Sequence, residues 1–119
     1  MDNNLLKLNT FIENYLYCCG TMKCVLQNAG CTPLQAKITK MLRDTPEMRF
    51  MSIRKQIEID IKDNKHKCLY QDLFTSCDVR YQYLMDCLSG VKVYDSYVDN
   101  VYLCDTALAI TKLRNTFVD

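Results

Sequence analysis

The chain has 119 residues, 49% apolar and 24% charged, which fits a single ordinary domain spanning 1–119 with enough apolar material to bury a core. Fifteen basic and fourteen acidic side chains leave a formal charge of +1, so no global field steers the protein onto nucleic acid or an acidic membrane. Gly, Pro, Ala and Arg are scarce while Asn, Lys, Ile and Tyr are plentiful; this is the bias of an AT-rich genome, and it suits a large DNA virus among other sources.

Apolar residues recur at three- and four-residue steps along the whole chain, the signature of helices. Leu5, Leu8, Phe11, Ile12, Tyr15, Leu16 and Cys19 form the first stripe, with Asn3 or Asn4 as its cap. Gly20 is expected to break or bend this helix, and Met22, Val25, Leu26 and Ala29 carry the stripe on to Gly30. Lys7, Asn9, Thr10, Glu13 and Asn14 interrupt the apolar residues early, so no secretory signal is read here. No window reaches the roughly 18 uninterrupted apolar residues of a membrane span. The expected location is therefore the cytoplasm or nucleus, of the host cell if the protein is viral.

Thr32-Pro33-Leu34-Gln35 reads as a capped helix start, with Leu34, Ile38, Met41 and Leu42 inward. Thr45-Pro46-Glu47 starts another helix, which buries Phe50, Ile53, Ile57 and Ile61. After the polar break Asp63-Asn64-Lys65, Leu69, Leu73 and Cys77 open a stripe with Phe74 beside it. A separate helix is expected from Ser76 or Asp78, with Leu84, Cys87 and Leu88 inward and Gly90 at its end. Val91–Tyr94 alternates like a strand without a partner strand and is read as an extended connector. The last helix runs from about Ser96 to Phe117, with Val101, Cys104, Leu108 and Thr111 inward and Tyr97, Tyr102, Leu113 and Phe117 broadening that face. Sustained heptads are absent, so the expected fold is all-α, a single compact bundle of five to seven helices.

Eight cysteines, at 18, 19, 24, 31, 68, 77, 87 and 104, admit three readings. Disulfides need an oxidising compartment, which nothing at the N-terminus implies. Structural zinc sites use paired ligands on tight knuckles, yet no Cys-x₂-Cys occurs and Cys24 lies within a helical pattern. Buried thiols acting as small apolar side chains fit best, with no metal and no cofactor. Cys18 and Cys19 project about 100° apart on a helix, so one of them is expected to reach solvent.

No catalytic residues are assigned. His66, the only histidine, sits in Asp-Asn-Lys-His-Lys as a solvated loop or helix-end residue. Phosphate loops, nucleophile elbows and calcium loops are missing from the sequence. The leading expectation is a non-enzymatic protein–protein interaction module, such as a small viral adaptor or host-modulating factor, whose partner is another protein or a second copy. Tyrosine combines apolar area with a polar tip and is enriched at interfaces; Tyr81, Tyr94, Tyr97 and Tyr102 are the candidate contacts, and of Tyr81 and Tyr83 at least one is expected to leave the core. The alternative is a DNA- or RNA-binding regulator. The segment 34–61 resembles a helix-turn-helix in outline and carries Lys37, Lys40, Arg43, Arg49, Arg54 and Lys55, diluted by Glu47, Glu58 and Asp60. A zinc- or thiol-dependent protein is the third class.

Overall fold

The computed structural model describes residues 3–28 and 50–117. These residues form four α-helices and no strand: α1 (Asn3–Asn28), α2 (Phe50–Asp60), α3 (Lys67–Leu88) and α4 (Ser96–Arg114), followed by a 3-10 turn at Asn115–Phe117. The all-α class is observed; the expected five to seven helices are not. The expected starts at Thr32-Pro33 and Thr45-Pro46, and the stripe Leu34–Leu42, lie outside the described residues. Gly20 does not break α1, and the separate helix start expected at Ser76 or Asp78 is absent: both helices continue through these sites. A single glycine costs a helix only about 1 kcal/mol, and buried neighbours on both sides of each site hold the helix together.

Local chemistry explains the ends that do form. Asn64 organises the turn between α2 and α3: its Oδ1 accepts from the His66 N–H at 2.7 Å and its carbonyl accepts from the Lys67 N–H at 3.1 Å. α3 closes in a Schellman motif. The Gly90 N–H donates to the Cys87 carbonyl and the Val91 N–H to the Asp86 carbonyl, with Gly90 at φ +83°. Asp95 caps α4 by accepting from the Tyr97 N–H at 2.9 Å. Lys112 and Arg114 in its last turn complement the helix dipole.

Packing follows a simple order: α1 lies against α2 and α3, and α3 against α4. α3 is thus central and α4 is an edge helix, its far end tied to α1 by Arg114 donating to Asn9 Oδ1. The core is aromatic where the first three helices meet. The Phe11 ring stacks near Tyr15 at 6.1 Å and meets Phe74 edge-on at 5.3 Å, while Phe50 packs edge-on against Phe11, Tyr15 and Tyr81. Leu8, Ile12, Met22, Ile57, Ile61, Leu73, Leu84 and Leu113 fill around it.

Cys18 and Cys19 are both fully buried, against the expectation that one would reach solvent. The buried face of α1 is centred on Tyr15, and positions three and four residues later flank that centre on either side. Two neighbouring helices make the face wide enough to cover both. Leu16 falls outside it and is exposed.

The largest departure concerns α4. Val101, Cys104, Leu108 and Thr111, expected inward, all face solvent. The buried positions are Asp99, Thr106, Ile110 and Leu113 instead. At 3.6 residues per turn the two sets lie on opposite sides of the helix. The inner face is selected by a polar contact: Arg80 of α3 and Asp99 of α4 form a bidentate ion pair, Nε to Oδ1 at 2.9 Å and Nη2 to Oδ2 at 3.2 Å, with both side chains buried.

Candidate functional site

Two regions of the molecule carry unusual chemistry. One is the buried polar cluster between α3 and α4. The Tyr94 hydroxyl donates to Asp99 Oδ2 at 3.2 Å, so the Asp99 carboxylate accepts three bonds from Arg80 and Tyr94. Nearby, the Tyr83 hydroxyl accepts from the Asp95 N–H at 2.8 Å and lies 3.3 Å from the Asp95 carbonyl, pinning the connector before α4. Tyr15 donates to the Cys77 carbonyl at 3.0 Å. Among the described residues no buried side-chain nitrogen or oxygen lacks a partner.

Burial dominates the electrostatics of this cluster. It pushes the Cys19 thiol up to about 11 from the usual value near 9, against the opposing pull of the Arg80 charge. It raises Cys77 and Tyr15 further. Tyr94 is pushed up to about 12 by burial and then by the adjacent Asp99 carboxylate. A reactive thiol needs a lowered value and access to solvent, and these buried thiols have neither. The arrangement stabilises one packing of α4 on α3.

The other region is the outer face of α4. Tyr97 is 75% exposed, Leu108 55% and Val101 43%, with exposed Cys104 between them. They step by four, three and four residues, so they align along one side of the helix. α4 is therefore apolar on two opposite faces, and among the described residues only one is covered. Beside this stripe a groove of about 260 Å³ between α3 and α4 is lined by Leu69, Asp72, Ser76, Asp105, Ala109 and Lys112, with Leu108 at its rim.

The four tyrosines expected to contact a partner separate on this surface. Tyr97 stands out into solvent, whereas Tyr81, Tyr94 and Tyr102 are half-buried and packed against the core. Tyr102 meets Tyr83 edge-on at 5.4 Å. Tyr83 stays in the core, while Tyr81 is only partly buried against its edge. The residues that sequence reasoning missed on this face are Val101, Cys104 and Leu108. Their spacing predicts a core face, and only the burial of Asp99 and Thr106 shows that the opposite face is the inner one.

Of the basic residues expected to meet nucleic acid, Lys37, Lys40, Arg43 and Arg49 lie outside the described residues. Arg54 is engaged: it pairs with Glu58 and Asp78 and sits 4.8 Å above the Phe74 ring. It lines a groove of about 520 Å³ with Glu58, Ile61, Lys67, Gln71, Phe74 and Thr75. Lys55 is exposed beside Ile59, itself 70% exposed. His66 stands at the start of α3. Among the described residues no three His, Cys, Asp or Glu side chains converge on a point where a metal ion would sit, and no helix is long and apolar enough to cross a membrane. No family model, curated protein or solved structure matches the chain.

Proposed function

We propose that this protein is a non-enzymatic interaction module that docks a protein partner on the outer face of α4. The observation carrying this reading is the second apolar stripe: Tyr97, Val101, Cys104 and Leu108 aligned on the side of α4 opposite the core. Burying an apolar side chain the size of Leu or Val gains about 1.5–3 kcal/mol relative to leaving it exposed, and aligned exposed residues of this kind are what a partner helix covers. Tyr97 adds a large amphipathic contact of the kind enriched at interface centres.

The test compares the wild-type chain with Val101→Asp/Leu108→Asp as bait in extracts of the cells that express it. Circular dichroism first establishes equal helicity. A polypeptide held in stoichiometric amount by the wild type and lost with the double variant is the expected result. The same bound proteins on both baits would refute the proposal.

A further inference from the structure

We infer that the outer face of α2, with the turn that follows it, is a peripheral contact for a membrane leaflet carrying anionic lipid. This surface is separate from the α4 face and does not depend on it.

The placement of side chains is the first argument. Met51, Lys55, Ile59 and Lys62 step by four, four and three residues, so they share one side of α2 and of the turn that continues it. The Ile61 N–H still donates to the Ile57 carbonyl at 2.9 Å, and the Lys62 N–H to the Ile59 carbonyl at 3.4 Å. All four side chains are exposed, on the side away from buried Phe50, Ile57 and Ile61. Lys55, Ile59 and Lys62 line one shallow depression. Exposed Lys65, in the turn, and Lys67, at the start of α3, extend the basic patch.

Charge is the second argument. The two acids of α2 lie on its flanks and are engaged: Glu58 accepts from Arg54 at 2.9 Å and Asp60 from Lys7 at 2.5 Å. Lys55, Lys62, Lys65 and Lys67 make no ion pair among the described residues, and exposed Asp63 is the acid that stands among them. A chain with a formal charge of only +1 thus gathers four lysines at one corner. Attraction there acts within a Debye length of the partner surface, about 8 Å at physiological salt.

Two observations favour a lipid leaflet over a nucleic acid. The unpaired cations are all lysines, whereas nucleic-acid recognition draws on the planar fork of arginine. Exposed Met51 and Ile59 also alternate with the lysines along the face. A phosphate backbone offers these apolar side chains nothing. At a leaflet they enter the headgroup boundary, while the lysine stems lie along it and lift their charges to the lipid phosphates. With so few apolar groups the attachment is weak and reversible.

The experiment is flotation of the full chain with vesicles of phosphatidylcholine alone and of phosphatidylcholine mixed with phosphatidylserine, alongside titration with a DNA duplex. Expected is binding to the mixed vesicles and not to the neutral ones, reversed by raised salt. Lys62→Gln lowers vesicle affinity about fivefold, the share of one basic residue near an anionic leaflet, and Ile59→Gln lowers it as well. Lys92→Gln, beyond the opposite end of α3, leaves it unchanged. Circular dichroism establishes that each variant keeps its helicity. Absence of binding to the mixed vesicles overturns the inference, as does equal binding to neutral ones or binding that both Lys62→Gln and Ile59→Gln leave intact. Duplex binding that is tighter than vesicle binding and insensitive to Ile59→Gln overturns it in favour of a nucleic-acid partner.

Discussion

Replacing Asp99 by alanine should be among the most damaging single changes on the surface-proximal side of the molecule. The Arg80 side chain is 4% exposed and the Asp99 side chain fully buried, so the variant leaves a guanidinium in the interior without the carboxylate that pairs with it, and it also strips Tyr94 of its acceptor. Breaking a buried pair from one side costs about 3–5 kcal/mol, a large share of the roughly 5–15 kcal/mol that holds a domain of this kind together. Urea denaturation followed by circular dichroism reads the effect directly, as a fall in midpoint of about 1–5 M at the slopes of small domains. The double variant Arg80→Met/Asp99→Leu removes both charges and replaces them with apolar side chains. It should recover to within about 2 kcal/mol of the wild type, because the destabilisation comes from the orphaned charge. An Asp99→Ala variant destabilised by less than about 1 kcal/mol, the range of exposed pairs, would refute the reasoning and mean that Arg80 reaches water.

Phe11→Ala should cost about 3–5 kcal/mol, since Phe11 joins three aromatic neighbours in the core, while Tyr97→Ala should shift stability by less than about 0.5 kcal/mol; equal losses in denaturation experiments would contradict the assigned packing. The two described glycines should respond with opposite signs to alanine. Gly20→Ala stabilises by about 0.5–1 kcal/mol, because a Cβ there meets nothing within 4 Å, whereas Gly90→Ala destabilises by about 1 kcal/mol because φ is +83°; matching shifts in thermal midpoint would count against both. Stability should fall as pH rises from about 9 towards 11. The unfolded chain ionises its thiols near the ordinary value while Cys19, held up at about 11, and Cys77, raised further, keep their protons in the folded state, so the unfolded state binds fewer protons there. Cys19→Ala should flatten that slope in urea titrations at successive pH values, and an unchanged slope would remove the argument. At neutral pH a maleimide should label Cys68 and Cys104 well before Cys19 and Cys77, as mass mapping would show.

Much of the core was legible because single apolar stripes specify it. Leu8, Phe11, Ile12, Tyr15 and Cys19 on α1, Phe50, Ile57 and Ile61 from α2 onward, and Leu73, Phe74, Cys77, Leu84, Cys87 and Leu88 on α3 are all buried as the spacing predicts. The break at 63–65, the Gly90 terminus and the connector at 91–94 follow from local turn chemistry in the same way. What was illegible depended on partners distant in sequence. Arg80 reads as solvated until its carboxylate, nineteen residues on, is known to be buried beside it. The two series on α4 have the same spacing, and the buried one contains Asp99 and Thr106, so periodicity alone favours the wrong face. Tyr83 shares with Tyr81 the expectation that one of them leaves the core, but its hydroxyl is used to hold the connector.

The ion pair between α3 and α4 also settles a rotational ambiguity. A helix apolar on both sides can turn half a revolution about its axis and still offer its neighbour a hydrophobic surface, here Val101, Cys104 and Leu108 in place of Ile110 and Leu113. That rotamer of the whole element would carry Asp99 out to water and leave Arg80 inside without a counter-charge, a penalty of about 3–5 kcal/mol that the swapped aliphatic contacts do not offset. Two charged side chains thus decide which way round the edge helix sits, and so which of its two stripes remains available to another molecule.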